Sequence, residues 1–142
     1  MISIALDTRA INARLDALAK TAKDSARPAA QAGAQVLYEE VMRRVPVSDQ
    51  EHSTKGKKHT FQPGNLRAAI YQAFVQDESG QGRATYRISW NKRKAFYGHF
   101  VEHGTSRMAA RPFLRPSFDA MEQKALSAAR AVMAEQIKGG AP

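Results

Sequence analysis

Apolar positions recur at helical spacing through the first 45 residues. Ile11, Leu15 and Leu18 fall at i, i+4 and i+7, which predicts a helix capped by Asp7 or Thr8 with these three side chains as its buried stripe. The polar run TAKDSAR follows. Pro28 then marks either a kink or the first turn of a second helix that runs to about Arg44. Ala30, Ala34, Leu37, Val41 and Val45 share one face of that segment, and Pro46 ends it. The small residues Ala30, Gly33 and Ala34 admit a second backbone at close range, from the same chain or a neighbour. Residues 2 to 6 (ISIAL) read as a short strand or a lead-in.

The periodicity dissolves between Val47 and Pro63. The run VSDQEHSTKGKKHTFQP follows neither the helical nor the strand period and predicts a long flexible loop, over about residues 47–62. With Lys55, Lys57, Lys58, His52 and His59 it is a basic flap: a solvated loop, or a limb that orders against a partner. Pro63-Gly64-Asn65 turns the chain into a helical turn at LRAAI. Strict alternation in ATYRISW puts Tyr86, Ile88 and Trp90 on one strand face and Thr85, Arg87 and Ser89 on the other. With the turn at Gly80 and Gly82, residues 70–76 and 84–90 form an antiparallel hairpin.

Beyond the basic turn NKRK, Phe96, Tyr97, Phe100 and Val101 return at helical spacing, predicting a short helix with its apolar face against the core. Gly104 ends it in the left-handed position where glycine is favoured. Pro112 and Pro116 hold Arg111 and Arg115 out of helical geometry, so Phe113 and Leu114 sit on an extended arm whose two side chains anchor in their own core. Pro116 also suits the first turn of a last helix, from about Ser117 to Lys138, with Phe118, Met121, Ala125, Ala128, Val132 and Met133 along one side. Residues 138–142 read as a frayed tail. The fold class is therefore α+β: N-terminal helices and a C-terminal helix packed on a small antiparallel sheet, within one domain spanning 1–142.

Composition narrows the chemistry. Hydrophobic residues make up 43% and charged ones 25%, the balance of a globular chain. A chain near this length buries roughly 68–70% of its unfolded surface. Lys and Arg number 22 against 13 Asp and Glu, a net charge of +9, so an acidic partner is expected without being specified. There is no cysteine, which excludes disulfides, thiolate metal sites and cysteine nucleophiles. No apolar run approaches a membrane span, and MISIALD lacks the features of a secretion signal, so a soluble protein made in the cytoplasm is expected.

One pattern invites an enzymatic reading. His99-Phe100-Val101-Glu102-His103 has the H-x-x-E-H spacing of inverted zinc peptidases, in which two His one turn apart bind zinc and the Glu is the general base. Such a site needs a third ligand from another helix and a substrate cleft, and Gly104 leaves His103 on a fraying turn. The residues read better as structural, with Phe100 and Val101 in the core and His99, Glu102 and His103 on the outer face or paired locally. There is no phosphate loop and no serine elbow, so neither catalysis nor a cofactor or metal is expected. Arg83, Arg87, Lys92, Arg93 and Lys94 place five cations within residues 83–94 with no acidic residue, a candidate DNA-facing surface for a nonspecific nucleic-acid-binding protein. Tyr86 and Trp90 lie on the strand face opposite Arg87 and read as core, not as base-stacking platforms.

F-V-E-x-G-T at 100–105 and R-P-F-L-R-P at 111–116, preceded by P-G-N-L-R-x-x-I at 63–70, resemble the signature of the tail-component family of lambdoid siphophages, the head-to-tail joining or tail-completion (neck) proteins. His103 and Ala69 depart from the pattern, where the family often has an aromatic and a Ser. The resemblance implies a non-enzymatic structural virion protein, a small α+β subunit in a homo-oligomeric ring, hexameric like a tail. It would sit at the head–tail junction, completing the tail, with the tail terminator or tail tube and the head connector as partners. It would assemble in the bacterial host cytoplasm and contact passing DNA at most transiently. The anchors of the motif are Tyr97, Glu102, Gly104, Thr105, Pro112, Phe113, Leu114 and Pro116. Lys55, Lys57, Lys58, Arg107, Arg111 and Arg115 are the expected subunit and partner contacts.

Overall fold

The computed structural model describes residues 5, 7–53, 56 and 58–139. Its frame is a pair of long helices, α1 (Arg9–Arg44) and α4 (Leu114–Gly139), with everything between them folded against one end of the pair. The helices run antiparallel, since Gly33 of α1 lies against Ala125 and Ala129 while Thr21 and Asp24 lie beside Glu135, Gln136 and Gly139. A Cβ at Gly33 would stand 3.0 Å from the Ala125 carbonyl oxygen. The small-residue face of α1 therefore serves approach by the chain's own last helix.

Pro28 starts no second helix, because α1 is continuous for 36 residues with Pro28 inside it. The proline removes one hydrogen bond, and the helix is carried across it by packing, with Ser25, Ala26 and Ala29 all buried. The expected stripe of Ile11, Leu15 and Leu18 is not buried. Ile11 and Leu15 are 54% and 57% exposed, and every residue from Arg9 to Lys20 is exposed. The reason is length: α4 ends beside residues 21–24, so the first three turns of α1 extend past anything among the described residues able to cover them.

The loop after α1 is better formed than its composition suggests. Strands β1 (His52–Ser53) and β2 (Thr60–Phe61) pair antiparallel, His52 with Phe61 and Ser53 with Thr60. The loop thus has a sheet of its own, correcting the view of 47–62 as structureless. Helix α2 (Asn65–Ala69) leads directly into β3 (Ile70–Phe74), which pairs antiparallel with β4 (Tyr86–Trp90) from Ile70–Trp90 to Phe74–Tyr86. This is the predicted hairpin with its outer ends trimmed, and the architecture is α+β. The core forms where α1, α2 and the hairpin meet, from Val41, Val45, Leu66, Ala69, Ile70, Trp90, Ala95 and Phe113.

Helix α3 (Gly98–His103) is short, and Gly104 closes it at φ 74°. A Cβ there would lie 2.8 Å from the Ala110 nitrogen, so both conformation and space demand glycine. Phe96 and Phe100 are largely exposed, contrary to expectation. Phe96 precedes the helix, and six residues cannot bury two flanks at once; Val101 and Tyr97 take the inward positions. Helix α4 begins at Leu114, three residues earlier than predicted, so Leu114 and Arg115 are helical and only residues up to Phe113 are extended. Phe118 is exposed on α4, whereas Ala125 is buried and Met121, Ala128, Val132 and Met133 are half-buried. Lys138 and Gly139 continue the helix instead of fraying. Residues 1–4, 6, 54, 55, 57 and 140–142, and with them most of the ISIAL segment, Lys55, Lys57 and the end of the tail, lie outside the described residues.

Candidate assembly surface

The segment after Gly104 does not swing free. The Thr105 N–H donates to the Met108 carbonyl at 2.8 Å, with Thr105 and Met108 bridged, and the Arg111 N–H donates to the Val101 carbonyl at 2.7 Å. The turn is thereby folded back onto α3. Its far end is fixed by Glu102, which lies on the inner side of α3 and not on its outer face as expected. Glu102 is buried, and its carboxylate accepts the N–H groups of Phe113 (2.7 Å), Leu114 (3.0 Å) and Arg115 (3.1 Å). The start of any helix leaves four N–H groups without intrahelical partners, and an anion there also meets the positive end of the helix dipole. One acidic side chain thus caps α4 from a distance. Phe113, fully buried, packs on Trp90 at 5.9 Å between ring centres.

This geometry disposes of the peptidase pattern in its original sense. His99 and His103 lie side by side with ring centres 4.5 Å apart and planes tilted by 54°, but the Glu102 carboxylate between them in sequence is turned inward and engaged by three N–H donors. Among the described residues no three metal-capable side chains converge.

The clasp of residues 105–112 leaves its side chains exposed and forms one wall of a groove of about 590 Å³. Phe96, Phe100, Val101, Met108 and Arg111 line it together with Pro46, Val47, His52 and Phe61. Phe61 sits in an aromatic cluster at the groove, its ring 4.9 Å from Tyr97, 5.8 Å from Phe96 and 5.6 Å from His52. Asn65 fixes the floor, its side-chain amide donating to the Lys94 carbonyl at 2.9 Å and to the Tyr97 hydroxyl at 3.2 Å. Val47, Phe96, Phe100 and Met108 are each more than two-fifths exposed. Four large apolar side chains thus stand exposed around one concavity.

The predicted cations distribute unevenly. Arg107 and Arg111 belong to the clasp, and neither guanidinium has an ion pair among the described residues. Arg115 sits on the first turn of α4 and pairs with Asp119 at 3.3 Å. Lys58 is exposed in the β1–β2 connection. The basic run 83–94 is no single patch, because the length of β4 separates its halves. Arg87 pairs with Glu78 at 2.8 Å and Arg83 donates to the Glu78 carbonyl at one end. Lys92, Arg93 and Lys94 stand exposed on a turn held by Asn91 at the other. The apolar rim of the groove was not singled out as a contact surface from the sequence. The available signal was an excess of aromatics around α3 over what a six-residue helix can bury.

The profile of one protein family, HK97-gp10_like, described as "Bacteriophage HK97-gp10, putative tail-component", matches residues 9–104. The match takes in α1, both small sheets and α3, and stops before the R-P-F-L-R-P segment and α4. Neither the curated proteins nor the solved structures include a match. With two thirds of its length matched, from the first residue of α1 to the glycine that closes α3, the chain belongs to the HK97-gp10-like family of bacteriophage tail components.

Proposed function

We propose that this chain is a structural subunit of a tailed-phage or prophage-like particle, forming a ring at the head–tail junction that completes the tail and joins it to the head connector. Its role is to hold protein to protein, without catalysis. The observation that carries this reading is the groove between Val47 and Met108, where exposed aromatics and Arg111, without an ion pair among the described residues, sit on a rigid, capped frame. A subunit that joins two rings needs such a surface at fixed geometry, and the backbone tie from Arg111 to Val101 with the Glu102 cap supplies the rigidity. Family membership supports a place in the tail. The neck position and the ring, hexameric by analogy with the tail, are our reading.

Imaging particles of the encoding phage with this chain labelled is the direct test. Density at the neck, in a closed ring between connector and tail tube, is the expected result. Label along the tube or at the distal tip would overturn it. A second role, transient contact with DNA passing through the ring, is supported by the exposed cations of the Lys92–Lys94 turn.

A further inference from the structure

A second concavity, of about 380 Å³, lies where α1 passes the turn that joins β3 to β4, and three cations line it: Lys23 and Arg27 from the helix and Arg83 from the turn. One carboxylate, Asp24, lines it as well and also borders the recess beside Glu135. None of the four makes an ion pair among the described residues. We propose that this cavity is a phosphate-binding site, taking the phosphate group of a nucleic-acid backbone or of a small phosphate compound. One copy of the chain carries the whole site, independently of any ring.

Each cation is already held by the fold. The Arg27 guanidinium lies over the Phe74 ring, 4.4 Å from its centre, a contact that occupies none of its N–H donors. Arg83 engages only its Nε–H, which donates to the Glu78 carbonyl at 2.9 Å. The Lys23 stem packs along Gly82, where an added Cβ would meet its Cγ at 3.2 Å. Ordering long side chains is part of what binding costs, and here folding has done much of it in advance. The turn itself is tight. Gly80 and Arg83 exchange hydrogen bonds of 2.8 and 2.9 Å, and the two residues between them have positive φ, 52° at Gln81 and 82° at Gly82. Among the described residues Gln81 is the one non-glycine with positive φ, a conformation that persists where its surroundings impose it and that clusters at ligand clamps. The N–H groups of Gln81 and Gly82 make no hydrogen bond among the described residues, so two backbone donors stand unused on residues that line the cavity. A carboxylate is flat, and one guanidinium fork covers its edge. A tetrahedral phosphate offers oxygens in several directions, which suits cations arriving from a helix on one side and a turn on the other.

Titration of the full-length protein with inorganic phosphate at constant ionic strength, followed through its backbone amide NMR signals, is the test. Saturable shifts concentrated at residues 23–27 and 79–84 are expected, with acetate giving far weaker ones. Arg27→Gln and Arg83→Gln should each weaken phosphate binding about ten-fold, whereas Lys124→Gln, which removes an exposed cation of α4, should not. Lys23→Gln disturbs neither the Phe74 contact nor the Glu78 carbonyl, so it separates loss of a cation from loss of packing. All four positions are exposed, and circular dichroism checks that each variant folds. ADP and a random-sequence duplex then distinguish the two sources. A duplex that displaces phosphate from these amides identifies a nucleic-acid backbone, and ADP binding there without displacement by duplex identifies a small phosphate compound; either result supports the site. Absence of saturable shifts, shifts scattered over all the basic residues, or affinities that the three variants leave unchanged would overturn it. So would an equal response to acetate, which would mark the cavity as a contact for acidic protein.

Discussion

Glu102 and Phe113 are joined by a 2.7 Å hydrogen bond across eleven residues, a carboxylate at the end of one helix receiving the N–H that precedes another. With the two neighbouring N–H groups it makes the junction of α3, clasp and α4 a single unit. Replacing Glu102 by Ala leaves these donors without their acceptor in a largely dry site, which costs about 2–3 kcal/mol. Glu102→Gln keeps one acceptor oxygen and loses the charge, so it should cost roughly half as much. Urea denaturation of the two variants measures both values. An Ala variant within about 0.5 kcal/mol of wild type would mean that α4 does not depend on this cap.

Gly98 faces the indole of Trp90. A Cβ there would lie 2.6 Å from the indole nitrogen and 2.7 Å from the adjoining ring carbon, closer than atoms pack. Gly98→Ala must therefore push the ring or α3 aside, at about 1–3 kcal/mol. Trp90 is the chain's one tryptophan and is buried, so the displacement should appear as a red-shifted emission maximum and a lowered Tm. Unchanged fluorescence with unchanged Tm would show that the contact is slack.

These two contacts also separate what the sequence could reveal from what it could not. The hairpin was legible because alternation in ATYRISW is a local property, and the glycine stop of α3 because a left-handed cap needs no partner to be recognised. Ile11, Leu15 and Leu18 have the same spacing as a buried stripe; only the length of α4, a hundred residues away, leaves them uncovered. Glu102 misled for a related reason. Its place in H-x-x-E-H is local, whereas the N–H groups it serves follow a turn that sequence spacing does not fold. The pairing of His52 with Phe61 was hidden because two-residue strands carry no period, and aromatic packing with Tyr97 holds them together.

Glu40 is buried and receives both Arg43 and Arg44. The hydrogen bonds from Arg43 first, and from Arg44 next, hold its carboxyl below the ordinary glutamate value. A carboxyl whose folded value is depressed adds stability that is present above the unfolded value and is lost as pH falls through the folded one. Thermal melts of wild type and Glu40→Gln should therefore differ most near neutrality, with the gap closing below about pH 4. A gap that stays constant into acid would show that the pair contributes through packing and not through charge.

The last expectation concerns the cations on the two ends of β4. Neutralising one phosphate contact changes the slope of log K against log salt by about 0.9 on duplex DNA. Glu78 already pairs with Arg87, so Arg87→Ala should leave that slope almost unchanged. Lys92, Arg93 and Lys94 are exposed on the other end, and replacing all three by Ala should flatten the slope by about 2–3 for a random-sequence duplex. All three lie on a surface turn, so stability should hardly move. Equal slopes for wild type and the triple variant would mean that DNA does not touch this turn. Its charge would then serve an acidic protein surface, which the same triple variant would detect as weakened capture of the connector or terminator ring at low salt.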